Sequence, residues 1–282
     1  MKIALVQTSP VLQDIEKNFS IHLRFIDKAI QNNIDLIIFP ELSLTGYTLR
    51  DLVPETAIIP EKNKWFDQFK MISRDISIVL GFVEEREKGN YFNSAAYFSK
   101  GNLLHIHRKV FLPTYGMFEE AKFFSQGKKF SVFQTPFGKT GLLICYDFLN
   151  YGADYALFSQ GADIIIVLSA APGRGMGEKS GYSSSHMWEL MGETVSRFST
   201  VFLIYCNRVG YEDGKSFAGG SFIFNPEGEL LAKASSVDED FLVSTLDMNE
   251  LRNARQKLFY KRDNKPEVIL RSLNKVIFEN ED

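Results

Sequence analysis

The sequence predicts an α/β fold in which amphipathic helices pack on mixed β-sheet, and three observations carry that prediction. Short apolar runs alternate with segments of helical spacing from the N-terminus onward. A hairpin then takes the place of a helix in the middle of the chain, so antiparallel pairs join the parallel ones. The run Gly141-Leu142-Leu143-Ile144-Cys145-Tyr146-Asp147 delivers a cysteine to the end of a buried strand and turns at once to polar residues.

In order, Lys2 to Gln7 is the first strand, and Ile15, Phe19, Leu23, Ile26 and Ile30 give the following helix its apolar face, with Asp14 placed to cap it. Ile34 to Phe39 is a buried strand ended by Pro40-Glu41. Trp65, Phe66, Phe69 and Ile72 mark a second helix before the strand Ile76 to Val83. Tyr91 to Ser99 and Leu103 to His107 form the hairpin about Lys100-Gly101-Asn102. A loop from Leu112 to Gly127 leads to a strand at Phe130 to Phe133, the Thr135-Pro136-Phe137-Gly138 turn and the cysteine strand. Ala153 to Gln160 and Ser184 to Ser199 read as helices around the strand Asp163 to Ser169. Val201 to Cys206, Ser221 to Phe224, Leu230 to Lys233 and Phe241 to Leu246 are further strands, with a turn at Asn225-Pro226-Glu227-Gly228 and a short helix from Met248 to Gln256. The tail, 259–282, has weaker periodicity and is expected to dock on a partner subunit.

Composition narrows the function. With 282 residues and 45% hydrophobic content the chain can bury a large core, and without a linker-like stretch or repeat it reads as a single domain over 1–282. A net charge of −3 spread through the sequence gives no basic footprint for nucleic acid and no polybasic membrane patch. Two cysteines, Cys145 and Cys206, make no disulfide framework and suit a reducing compartment. The apolar start is too short for a signal peptide and the longest apolar run, Ile164 to Ala171, too short for a membrane span, so a cytoplasmic protein is expected.

Three polar residues stand at strand edges where an unpaired charge is costly: Glu41 after Ile37-Ile38-Phe39-Pro40, Lys109 after a basic neighbour, and Cys145. A thiol is mostly protonated at neutral pH and needs a base to attack carbon. A carboxylate can take that proton, while a lysine and the backbone N–H of Tyr146 stabilise the oxyanion. The combination points to nucleophilic acyl chemistry without metal or cofactor.

The motifs Phe39-Pro40-Glu41 with Gly46-Tyr47, Arg108-Lys109-Val110-Phe111-Leu112-Pro113, and Gly141 to Asp147 occur in the order seen in the nitrilase superfamily of carbon–nitrogen hydrolases, which this chain resembles over nearly its whole length. The resemblance implies a four-layer α-β-β-α sandwich with two mixed sheets and paired protomers, a homodimer or higher homo-oligomer. It implies Glu41 as general base, Lys109 as oxyanion stabiliser, Cys145 as nucleophile and Glu120 as a second glutamate. It further implies an amidase that releases ammonia from a small amide through a thioester, and Tyr115, Tyr146, Ala170 and Arg174 are the residues expected around the substrate. Tyr115 to Glu120 is similar to the glutamine-hydrolysing domain of glutamine-dependent NAD synthetases. Phe148-Leu149-Asn150 departs from the arginine or Phe-Pro-Glu run that many relatives carry after the cysteine, and Arg174 in Pro172-Gly173-Arg174-Gly175 is the substitute cation.

Other readings carry less. The loop Ala171 to Gly177 has Gly-x-Gly-x-Gly spacing rather than a dinucleotide fingerprint, and fits a loop over a substrate pocket better. His105 and His107 lack a third metal ligand. A Cys145–His186 hydrolase and a Glu41–Glu120 glycosidase leave part of the constellation idle. Carbamoyl or nitrile hydrolysis, and a binding module without chemistry, are the alternatives to amide hydrolysis.

Overall fold

The computed structural model of the chain describes residues 1–175 and 183–278. The first half contains β1 (Lys2–Gln7), α1 (Ile15–Gln31), β2 (Leu36–Ile38), a one-turn α2 (Val53–Thr56) and α3 (Lys64–Ile72). Next come β3 (Ser77–Glu87), β4 (Asn90–Ser99), β5 (Asn102–Arg108) and the one-turn α4 (Glu120–Phe123). The second half runs β6 (Val132–Thr135), β7 (Gly138–Ile144), α5 (Tyr151–Ser159), β8 (Ile164–Ser169), α6 (Ser183–Ser199) and β9 (Phe202–Asn207). It closes with β10 (Val209–Glu212), β11 (Lys215–Ala218), β12 (Phe222–Phe224), β13 (Leu230–Lys233) and β14 (Asp240–Thr245). Three helices follow, α7 (Asn249–Lys257), α8 (Tyr260–Asp263) and α9 (Pro266–Phe278).

Two six-stranded sheets result, in the orders β14-β1-β2-β3-β4-β5 and β13-β12-β9-β8-β7-β6. Each has parallel strands at its centre, β1-β2-β3 and β7-β8-β9, and antiparallel strands toward its edges. The parallel strands are covered on both faces, which explains why Ile164–Ser169 and Phe202–Asn207 read as unbroken apolar runs. Alternation sorts the faces of the first sheet. Ile3, Leu5, Ile38 and Val79 pack with Leu142, Ile144 and Ile166 of the second sheet, whereas Ala4, Val6, Ile37 and Leu80 pack on Phe19, Phe66 and Phe69 of α1 and α3. A one-residue slip of β1 would exchange these faces. Leu157 of α5 with Trp188 and Val195 of α6 cover the second sheet, so the layers run α-β-β-α as expected.

Local signals place the helices. Asp14 accepts the Lys17 N–H at 2.9 Å and Asn63 the Trp65 N–H at 2.9 Å, so both helices start at their capping residues.

The structure differs from the sequence reading in five places. The strand expected at Phe130 to Phe133 is Val132–Thr135, because the hairpin turn pairs Thr135 with Gly138 and fixes the register from there. Phe130 instead stacks on His107 and Phe111. The pair β10–β11 was not anticipated, although its Asp213-Gly214 turn, with φ of 48° and 73°, is a hairpin signal that sequence carries. The short α2, and α4 inside the long loop, were also missed. The tail of expected weak periodicity contains α9, on which Val268, Ile269, Leu270, Leu273, Val276 and Ile277 face solvent. Residues 279–282 of that tail lie outside the described residues. Among the described residues no helix is long and apolar enough to cross a membrane.

Candidate active site

Four strand ends converge. Glu41 comes three residues after β2, Lys109 directly after β5, Cys145 directly after β7, and Ser169 ends β8; the carboxyl ends of strands are where open α/β sheets gather ligands. The Glu41 loop lies so close to β3 that a Cβ on Gly81 would fall 2.3 Å from the Leu42 nitrogen and 2.7 Å from the Pro40 carbonyl oxygen. Glycine is therefore required there for the carboxylate to reach its position.

Lys109 is fully buried and its ammonium donates to Glu41 Oε1 at 2.8 Å and to Glu120 Oε1 at 2.7 Å. Burial alone would discharge it, but the carboxylates of Glu120 and Glu41 outweigh that cost and hold its pKa well above the lysine range. Asn93 Nδ2 donates to Glu41 Oε1 at 2.7 Å and the Ala170 N–H to Glu41 Oε2 at 2.7 Å, so both oxygens of this carboxylate are oriented. Burial pushes the Glu120 carboxyl up to about 7, against the pull of Lys109 and with the help of Glu41. Its Oε1 also accepts the Tyr47 hydroxyl at 2.6 Å, and its buried Oε2 has no partner among the described residues.

Cys145 has φ of 46°, a left-handed conformation rarely adopted by a residue with a side chain, at the sharp turn out of β7. Its thiol hydrogen-bonds to the Ser169 side chain; burial, reinforced by the Glu41 charge and opposed by Lys109, raises its pKa far above that of an exposed cysteine. The resting group is thus a neutral thiol, and attack on carbon requires proton removal as the bond forms.

Asp147 ties the cysteine turn to the lysine segment. Its Oδ1 accepts the N–H groups of Val110 at 3.0 Å and Phe111 at 2.9 Å, and its Oδ2 meets His107 Nε2 at 2.8 Å and the Ile144 N–H at 3.3 Å. A second clamp holds Tyr47: Glu212 accepts the Tyr47 and Thr48 N–H groups at 3.0 and 2.6 Å and Arg208 Nη1 at 2.7 Å. Asp147 and Tyr47 stand within motifs of the sequence, but nothing in their immediate neighbours reveals the role of either. Sequence reasoning missed Asn93, Ser169 and Glu212, for which no local pattern was a signal.

Above the thiol is a cavity of about 90 Å³ whose lining includes Tyr115, Phe118, Cys145, Tyr146, Arg174 and Trp188. The Tyr115 and Tyr146 side chains hydrogen-bond to each other, and the Arg174 guanidinium lies 5.6 Å from the Phe118 ring centre. Three of the four residues expected around the substrate are therefore together. Ala170 is buried to one side, turned to Glu41 through its N–H. His186 is exposed on α6, and Met176 and Gly177 of the glycine-rich loop lie outside the described residues. His107 is taken up by Asp147 and His105 stacks on Phe133, and among the described residues no group of three or more His, Cys, Asp or Glu is arranged to hold a metal ion.

Comparison with known proteins shows the family to which the chain belongs. Residues 2–256 match the family model described as carbon-nitrogen hydrolase. A glutamine-dependent NAD(+) synthetase of Acinetobacter baylyi is 36% identical over 251 residues, which are 89% of this chain but 45% of that protein, so the chain spans about half the length of this relative. An (R)-stereoselective amidase of Pseudomonas sp. is 30% identical over 93% of this chain and 91% of its own length. The crystal structure of a carbon-nitrogen hydrolase from Helicobacter pylori G27 superposes with a TM-score of 0.83 at 25% identity, covering 95% of this chain and 96% of that one. With the family model spanning nearly the whole chain and both sheets shared with a family member, this protein belongs to the carbon–nitrogen hydrolases of the nitrilase superfamily.

Proposed function

We propose that the protein is a thiol amidase that releases ammonia from a small amide. The observation that carries this reading is the buried Lys109 ammonium held between Glu41 and Glu120 beside the Cys145 thiol. As Sγ attacks the amide carbon, its proton passes to Glu41, and the carbonyl electron pair becomes an oxyanion. Lys109 has two of its three donors on carboxylates; the third, with the Tyr146 N–H, meets that oxyanion. Glu41 then returns the proton to the nitrogen, the carbon–nitrogen bond breaks and ammonia leaves a thioester. Water attacks the thioester carbon, giving one proton to the base, and the sulfur takes a proton back as the carboxylic acid departs. Glu120, whose pKa of about 7 lets it hold or release a proton near neutrality, orients that water.

The cavity above the thiol is small and largely apolar, with Arg174 at its wall, which supports a short substrate, with Tyr115 and Tyr146 around it. The similarity to glutamine-dependent synthetases places glutamine first among the amides to try, followed by aliphatic amides, carbamoyl amines and nitriles. The exposed apolar side chains of α9 support docking of the tail on a second copy in a cytoplasmic homodimer, which sedimentation of the chain with and without 259–282 tests.

Ammonia release across that panel is the test, with mass spectrometry of Glu41→Gln to trap the thioester on Cys145. The expected adduct has the substrate mass less ammonia. Ammonia release that survives Cys145→Ala would overturn the assignment.

A further inference from the structure

A second hollow, of about 560 Å³, lies along β5 and the segment 125–131. Arg86, Arg108, Lys128 and Lys129 line it, and Glu87 is the one carboxylate among its lining residues. It is separate from the candidate active site: Arg108 lines the hollow, whereas the Lys109 ammonium is buried on Glu41 and Glu120. We propose that this groove is a binding site for a phosphate-bearing small molecule.

Charge is the first argument. Four cations gather about one concavity in a chain whose net charge is −3, and the nearby carboxylates, Glu87 in the lining and the Glu84 that pairs with Arg108, offset only part of that charge, so the excess favours an anion. Arg108 is already paired with Glu84, yet its buried Nε has no partner among the described residues, a donor left facing no acceptor. The His105 imidazole, which also lines the hollow, is held down to about 4, chiefly by burial and further by neighbours that include Lys129 and Arg108.

Preorganisation is the second. The strap bearing Lys128 and Lys129 is fixed to β4 and to the residue after β5, with the Ser125 N–H on the Tyr91 carbonyl at 2.7 Å and the Gly127 N–H on the Lys109 carbonyl at 2.8 Å. A Cβ on Gly127 would lie 2.1 Å from the Arg108 carbonyl oxygen, so only glycine permits this approach. The cations are thus displayed from fixed backbone, which lowers the ordering cost of binding. The volume is that of a small-molecule site rather than a macromolecular face, and a mixed set of arginines and lysines suits a multiply charged phosphate.

Isothermal titration of the full chain at constant ionic strength with sodium tripolyphosphate tests the proposal, with citrate as a carboxylate of similar charge. Saturable one-to-one binding of tripolyphosphate is expected, weakened roughly tenfold or more in Lys128→Glu/Lys129→Glu. Lys17→Glu/Lys62→Glu makes the same change in net charge at exposed positions outside the groove and is expected to bind like the wild type. Melting temperatures establish that both variants are folded, and Arg86→Glu replaces the first pair if it is not. Absence of saturable binding, equal loss in both double variants, or citrate binding as tightly as tripolyphosphate would overturn the proposal.

Discussion

Cys145 and Cys206 lie at the carboxyl ends of two strands of the same sheet, and both are buried, 5% and 0% exposed. Burial drives both thiols far above the ordinary cysteine range. Their surroundings differ. Cys206 points its thiol at the Val6 and Ile38 carbonyl oxygens, 3.7 and 3.4 Å away, between the two sheets. Cys145 sits on a left-handed turn, beside Glu41 and Lys109, with a cavity in front of it. Burial and proton affinity are therefore alike at the two cysteines. What differs is the cavity in front of Cys145 and the carboxylate and ammonium beside it.

The largest expected effect tests that contrast directly. Cys145→Ala should lower amide turnover by roughly 10⁴-fold or more, as loss of a covalent nucleophile does, with little change in melting temperature. Cys206→Ala should leave turnover near wild type and cost about 1–2 kcal/mol of stability in urea unfolding. A comparable loss of turnover in the two variants would dissolve the comparison.

Lys109→Met comes next. It leaves Glu41 and Glu120 facing each other without their cation, and a buried pair broken on one side costs about 3–5 kcal/mol. Chemical denaturation should show that loss, partly recovered by adding Glu120→Gln.

Glu120 provides the pH dependence. Its folded pKa, about 7, lies above the ordinary 4.5, so the folded state binds this proton more tightly than the unfolded one. The resulting stability is present below the ordinary value and is lost as pH rises toward and through the folded one. Urea midpoints should therefore fall between about pH 5 and about pH 8 in the wild type, and fall less in Glu120→Gln. An equal fall in both would remove Glu120 as the titrating group.

The smallest effect sharpens the outer part of the site. Tyr47→Phe removes the 2.6 Å hydrogen bond to Glu120, worth about 1–3 kcal/mol for a charged acceptor. Turnover should drop about tenfold, with kcat affected more than KM, because the carboxylate shifts while the residues that face the substrate stay in place.

Much of this was legible in the chain. The alternation of strands and helices, the Asp14 cap and the apolar run ending at Cys145 are local patterns, and local patterns are what periodicity reports. Glu41, Lys109 and Cys145 stood out because each is a polar residue at the edge of an apolar strand. The β6 strand was misplaced by two residues because its register depends on a turn partner across the hairpin. The β10–β11 pair was overlooked because its strands are only four residues long, which leaves the Asp213-Gly214 turn as the main sign.

The sequence by itself determined the fold class, the strand ends and the identity of the three chemical groups, since each follows from residues adjacent in the chain. Tertiary structure alone decided how those groups are held. Asn93 and Ala170 on Glu41, Ser169 on Cys145, and Glu212 behind Tyr47 are separated from their partners by 24 to 165 positions. The cationic groove is likewise assembled by the fold, from β3, β5 and the strap after α4. A hydrogen bond or an electrostatic potential depends on distance in space, and only the folded sheets bring such distant positions to a few ångströms.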